Sequence, residues 1–372
     1  MSFLYENLLL LTWQQVVMWV IGAILIYLAI SKEMEPSLLL PIGFGAILVN
    51  LPFSGAVDQM IDGILQVGPL STLYNAGIAN ELFPLLLFIG IGAMCDFGPL
   101  LSNPALMLFG AAAQFGIFFV LCLASMFFPI NDAASIATIA AADGPTAIVV
   151  AEKLHSEYLG PIMVAAYSYM ALVPIIQPPV IKLLTTSKER KIRMDYEPKQ
   201  VSKLTRILFP IIITVVAGIV SPASVSLVGF LMFGNLIKEC GVLDSLNDTA
   251  QDAMANIITL ILGITIASQM QAEQFLSIKT LIILGLGLFG FVFDTAGGIM
   301  FAKVLNLFLK KKVNPMIGAA GISAFPMSGR IVHRLGLEED NQNFLLMHSM
   351  AVNVSGQIAS VIAGGLILSL FM

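Results

Sequence analysis

Of the 372 residues, 58% are hydrophobic and 11% charged, with a net charge of −5 and a mean hydropathy of +0.93. Soluble globular chains carry about 25% charged residues, so this composition excludes a soluble domain and describes a polytopic membrane protein, expected to be all-α and to lie in the cell (inner) membrane. The lipid bilayer is its first partner, and nucleic acid is not expected among the others.

Apolar runs able to span a bilayer fall at about 13–31, 37–54, 82–101, 103–129, 133–153 and 160–184, and a second set lies at about 205–221, 224–239, 254–272, 279–308, 314–335 and 343–371. No basic run precedes Lys32, so the first segment is expected to stay in the membrane rather than be cleaved as a signal peptide. Gly55 to Ala79 is mixed, with Asp58 and Asp62, and reads as an interfacial helix or loop. Residues 1–184 and 205–372 are expected to form two membrane repeats joined by a charged linker, 185–204. Lys182 to Arg206 holds eight of the eighteen basic residues against three acids, and Lys303 with Lys310, Lys311 and Lys312 makes the other basic cluster. Both are expected to be cytoplasmic, because Lys and Arg in short loops set orientation. Ten to twelve segments are expected, in two inverted repeats.

Within the fifth run, Ala140-Ala141-Ala142-Asp143-Gly144-Pro145-Thr146 places a carboxylate where its neighbours carry no charge. An Asp at the centre of a membrane helix costs roughly 2.5–3.5 kcal/mol on insertion scales and is by default a site for ion or proton handling. Gly144 and Pro145 beside it are expected to interrupt the helix, one by letting the backbone bend and the other by lacking an N–H. Half-helix ends and freed carbonyls at such breaks are where transporters hold ions.

A second interrupted stretch runs from Asn314 to Ser328 and includes Pro315, Gly318, Ser323 and Pro326. It repeats the first at a spacing of 181 residues: Pro145 falls on Pro326, Ala142 on Ser323, Val150 on Ile331, Lys153 on Arg334 and Leu154 on Leu335. Gly43-Phe44 with Asn50 likewise echoes Gly229-Phe230 with Asn235, and Ile89-Gly90-Ile91 echoes Leu262-Gly263-Ile264. Paired interrupted segments in two halves point to a transport site. From the residues, Asp143 and Thr146 in the first break and Asn314 and Ser323 in the second present oxygen; the alternative is that Asn314 caps a helix, Ser323 bonds a nearby carbonyl and Asp143 pairs with a distant Arg or Lys. The oxygen set suits a small hard cation better than a transition metal.

Several other residues keep two readings. Tyr169, 26 residues after Asp143, is an interface anchor or a phenol that passes a proton. Arg330 attracts a carboxylate or, with Arg334, marks a loop end; Asp294 before Gly297-Gly298 is a further intramembrane acid. His155, His333 and His348 do not cluster, and Cys95, Cys122 and Cys240 have no metal-ligand spacing and read as free thiols.

Asp143-Gly144-Pro145-Thr146, Tyr167-Ser168-Tyr169-Met170, Pro178-Pro179, Asn314-Pro315-x-Ile317-Gly318-x-Ala320-Gly321-x-Ser323-Ala324-x-Pro326-Met327, Phe344-Leu345-Leu346-Met347-His348 and Asn353-Val354-x-Gly356 together resemble the beta subunit of sodium-translocating biotin-dependent decarboxylases. The resemblance runs from about residue 80 to the end, with Met350-Ala351-Val352 departing from the family's small or proline-containing run and Ser355 and Gln357 adding polarity. It implies a subunit that decarboxylates carboxybiotin and couples this to sodium export with proton uptake. The biotin is carried by a partner subunit. A carboxyltransferase (alpha) subunit and a small membrane anchor subunit complete the expected assembly, and homo-oligomerisation stays open. It further implies that Asp143 is the sodium and proton carboxylate, with Asn314, Ser323 and Asn353 as polar partners, Tyr169 as a proton relay, and Gly318 and Arg330 as functional motif positions. Leu85 to Gly92 and the small-residue proline break also resemble cation/proton antiporters and bile-acid symporters, which implies a related inverted-repeat fold. The rival is a stand-alone secondary transporter, a sodium/proton antiporter or a sodium-coupled organic-anion symporter.

Overall fold

The computed structural model describes residues 10–61, 63–196 and 200–372; Asp62 and linker residues 197–199 lie outside the described residues. In lipid every backbone polar group must be satisfied within the chain, and the apolar runs do so as helices. These are α1 (Trp13–Ser31), α2 (Pro36–Val49), α3 (Pro69–Gly77), α4 (Leu82–Met94), α5 (Met107–Ala113), α6 (Phe115–Ala124), α7 (Ile130–Ala137), α8 (Gly144–Lys153) and α9 (Leu159–Leu184). After the linker come α10 (Lys203–Val220), α11 (Val225–Cys240), α12 (Ala255–Ile266), α13 (Ile278–Phe308), α14 (Met316–Ala319), α15 (Met327–Glu339) and α16 (Leu346–Phe371). Among the described residues eight helices are long and apolar enough to cross a membrane, or nine if the bent pair α3 and α4 is one span. The 14-residue α2 is a shorter apolar helix.

Outer helices keep an apolar face outward at helical spacing: Trp13, Val16, Val20, Ile24 and Tyr27 on α1, and Leu208, Ile212, Val215 and Ile219 on α10, are all exposed. Inner helices pack through small residues, as membrane interfaces require when no water is there to drive association. On α4 and α11 a Cβ at Gly92 would lie 1.9 Å from the Leu231 carbonyl oxygen, and one at Gly234 2.0 Å from that of Ile89. Two amides tie helix ends across the molecule: Asn50 donates to the Met270 carbonyl at 2.7 Å, and Asn235 to that of Cys95 at 3.1 Å. The segment from Gly55 to Ala79, expected as helix or loop, is a small antiparallel ribbon, β1 (Gln59–Ile61) and β2 (Ile64–Gln66), followed by α3. Asp58 closes the ribbon by accepting from the Gly68 N–H at 2.9 Å.

Both interrupted stretches fold back on themselves. In the first, α7 passes through a 3-10 turn (Thr138–Ala141) to Ala142, Asp143 and α8. Its two ends meet where the Asp132 carboxylate accepts from the Ser156 hydroxyl at 2.7 Å and the Glu157 N–H at 3.1 Å. In the second, α14 leads through residues 320–326 to α15, and both ends are held by one linker residue. Asn314 donates to the Arg190 carbonyl at 2.8 Å, while the Arg190 guanidinium pairs with Glu339 at 2.5 Å. The linker forms a strap across this end through Arg193–Asp340 at 2.7 Å and Lys303–Glu189 at 3.1 Å. The first hairpin opens on the face away from the linker, where Tyr158 meets Lys279 at 2.8 Å. The two hairpins therefore enter from opposite faces.

Candidate functional site

The hairpins meet at their tips, where the Ser323 N–H donates to the Ala141 carbonyl at 3.1 Å. Gly144, expected to supply the bend, is ordinary first-turn helix; the left-handed residue is Ala142, at φ 52°. What Gly144 provides is proximity, since a Cβ there would lie 2.4 Å from the Tyr167 ring. The helix is interrupted beside Pro145 as expected, and Pro145 itself stands in the first turn of the helix that follows the break. At the first positions of α8 its missing N–H costs no hydrogen bond, and its fixed φ suits the turn. Pro326 likewise immediately precedes α15. Gly318 packs α14 on α13, with its Cβ position 2.0 Å from the Gly298 carbonyl oxygen.

Asp143 caps α8, accepting from the Thr146 N–H at 3.4 Å, and is 2% exposed. Its Oδ2 accepts from the Thr146 hydroxyl at 2.9 Å, the Ser360 hydroxyl at 2.7 Å and the Gln357 amide at 3.3 Å. Asn353, Gln357 and Ser360 stand at i, i+4 and i+7 on α16, one face of a helix. Asn353 holds the second hairpin's tip, donating to the carbonyls of Ala320 at 3.1 Å and Ile322 at 2.7 Å, and its own Oδ1 is buried without a hydrogen-bond partner among the described residues. Ser323 donates to the Gly356 carbonyl at 3.2 Å and shares with Asp143 and Gln357 a cavity of about 170 Å³. Buried hydroxyls and amide oxygens around one carboxylate form a hard donor set. A hydroxyl that donates to Asp143 keeps lone pairs for a cation.

The structure separates other residues from this cluster. Asn314, expected beside Asp143, does not line the cavity, because its amide donates to the Arg190 and Ile192 carbonyls at 2.8 and 2.9 Å and its Oδ1 caps Met316. Tyr169 donates its hydroxyl to the Leu284 carbonyl at 2.5 Å, and the tyrosine packed against the break at Asp143 is Tyr167. Asp294 is fully buried and accepts from the Gly116 N–H near the start of α6, which gives this acid a structural use. Arg330 lies in the first turn of α15, exposed and without an ion pair among the described residues. From the sequence, Gln357 was noted only as added polarity in the last helix and Ser360 was missed, although the polar period 353, 357, 360 within an apolar helix was their signal.

Residues 14–371 match the family model described as Na+-transporting oxaloacetate decarboxylase beta subunit. The chain is 48% identical to the methylmalonyl-CoA decarboxylase subunit beta of Propionigenium modestum, over 96% of this chain and 94% of that protein. It is 46% identical to the glutaconyl-CoA decarboxylase subunit beta of Acidaminococcus fermentans, again over 96% and 94%. To the oxaloacetate decarboxylase beta chain of Klebsiella pneumoniae it is 42% identical, over 95% and 94%.

Proposed function

The chain belongs to the family of beta subunits of Na+-transporting decarboxylases, and on that footing we propose that Asp143, where the two hairpins meet, is the carboxylate at which sodium and a proton exchange. It is a multi-pass membrane subunit of a sodium-pumping decarboxylase. The observation that carries the site is the Asp143 carboxylate at the contact of two hairpins, with Thr146, Ser360 and Gln357 turned onto it. Sodium, the cargo, takes Asp143, Thr146, Ser323 and Ser360 oxygens, with the free Oδ1 of Asn353 completing the set. One carboxylate cannot hold a proton and a sodium ion at full strength together, so binding of one favours release of the other.

The opposed hairpins support two inverted repeats, 1–184 and 205–372, of five crossings and one hairpin each when α2 and α4 are counted as spans. This is an antiporter-like plan, with linker 185–204 cytoplasmic by its charge. Moving one charge against 100 mV costs about 2.3 kcal/mol, and decarboxylation of carboxybiotin supplies it. The biotin arrives on a carrier partner loaded by a carboxyltransferase (alpha) subunit, with a small membrane subunit anchoring the assembly, and the alpha subunit selects the acid. Arg330, without an ion pair among the described residues, is the residue that would hold the carboxyl group. Tyr169 stays outside the ion contacts and is assigned to the proton. Asn314 positions the second hairpin through the strap.

Asp143→Asn tests this reading. The variant complex should assemble in the membrane and bind its partners yet show neither sodium transport nor sodium-dependent decarboxylation; wild-type coupled transport would overturn it.

A further inference from the structure

The cavity that ends on Asp143 does not stop there. Its other wall residues include Glu35 and Ser37 at the start of α2, Met94 at the end of α4, and Asn256 and Thr259 in the first turns of α12. The Met94 carbonyl accepts from Lys238 at 3.2 Å, beside Glu239, which pairs with linker-end Arg206 at 3.7 Å, so this mouth opens on the linker face.

Glu35 is unusual among the residues of that mouth. It occupies the N-cap position of α2 with φ 37° and ψ 60°, a left-handed conformation that L-residues other than Asn and Asp rarely adopt. Despite that position its side chain caps nothing, and it makes no hydrogen bond or ion pair within 4.0 Å among the described residues. A half-buried carboxylate lining a cavity, in strained backbone and unused by the fold, calls for a ligand. Its charge also sits at a helix N-terminus, which favours the ionised form. Burial raises the Glu35 carboxyl above the ordinary carboxylate value, and the charge of Arg330 offsets part of that rise.

We propose that Glu35 is the entry carboxylate of the ion path, capturing sodium at the linker-face mouth and passing it by the Asn256 and Thr259 oxygens to Asp143. The proposal rests on the exchange site assigned above and adds its point of access. The charged residues that line the cavity, Glu35 and Asp143, are both carboxylates, and a cleft lined by one sign of charge raises local cation concentration and on-rate by about tenfold or more. Glu35 therefore acts on how readily sodium reaches the site rather than on the reaction there.

The test is made on the assembled complex in vesicles. Glu35→Gln should raise the sodium concentration for half-maximal decarboxylation about tenfold, with turnover at saturating sodium within twofold of wild type. Glu35→Cys should behave alike. Its modification by a negatively charged methanethiosulfonate should restore the wild-type sodium dependence, whereas a positively charged reagent should worsen it, with treated wild type as the control for the native thiols. Equal effects of the two reagents would make the role steric and overturn the proposal. So would unchanged sodium dependence in Glu35→Gln, or lost saturated turnover with unchanged sodium dependence, which would place Glu35 in the service of Arg330. If Asp143→Asn is inactive while Glu35→Gln is wild type, the entry path alone is wrong; if Asp143→Asn still pumps, the exchange site is wrong.

Discussion

Ser360→Ala isolates one contact of the proposed ion site. The Ser360 hydroxyl reaches Asp143 Oδ2 at 2.7 Å, shorter than the Thr146 contact at 2.9 Å and the Gln357 contact at 3.3 Å. Serine here is 1% exposed, so water does not readily replace the lost group. Hydrogen bonds to a charged group are worth about 1.5–3 kcal/mol, which corresponds to roughly 10- to 150-fold in an equilibrium constant. Alanine removes one oxygen, adds no volume and favours the helix, so α16 should fold as before. The half-saturating sodium concentration for decarboxylation, and for uptake of radioactive sodium into vesicles, should therefore rise at least about tenfold. Ser355→Ala is the control. That hydroxyl is buried on the same helix but donates to the carbonyls of Val352 at 2.7 Å and Leu106 at 3.2 Å. Its loss should leave sodium dependence unchanged. A Ser360→Ala complex within twofold of wild type, or one matched by Ser355→Ala, would refute the assignment of this face of α16 to the ion.

Two further outcomes follow from the packing and the strap. Gly318→Ala would put a methyl group 2.0 Å from the Gly298 carbonyl oxygen, and overpacking of about 1–3 kcal/mol should lower the thermal midpoint of the subunit and displace the second hairpin; wild-type midpoint and transport would contradict the close approach. The hydrogen bond from Arg190 holds the Glu339 carboxyl below the usual carboxylate range, and that from Arg193 does the same for Asp340. Carboxylates depressed in the folded state stabilise it fully above their unfolded values of about 4 and lose that contribution as pH falls through the folded values. Amide exchange across 186–194, corrected for intrinsic rates, should stay slow from pH 7 to 5 and rise below about pH 4, and release between pH 7 and 5 would show that these pairs do not hold the strap.

Asp143 was legible because a charge in an apolar run stands out without any knowledge of its neighbours, and the second hairpin because its prolines and small residues repeat the first. Their partners were less so. Asn314 and Asn353 look alike in sequence, each an amide beside a small-residue motif, yet one faces the linker and the other the hairpin tip. Tyr167 and Tyr169 differ by two positions, about 200° around α9, and only the packing of α9 decides that Tyr167 meets the break while Tyr169 turns to α13.

The sequence by itself determined that this chain is a membrane protein, where its breaks fall, which residue carries the buried charge and which family it resembles. These follow from local transfer energies and from motifs, which each short stretch carries alone. Only the tertiary structure decided that the interrupted stretches are hairpins entering from opposite faces, and that Gln357 and Ser360 rather than Asn314 complete the contacts of Asp143. The reason is that a polar side chain in an apolar interior takes whichever partner the packed helices bring within about 3 Å. For Asp143 those partners stand 214 and 217 residues away on a helix whose rotation is set by the packing of small residues along its length.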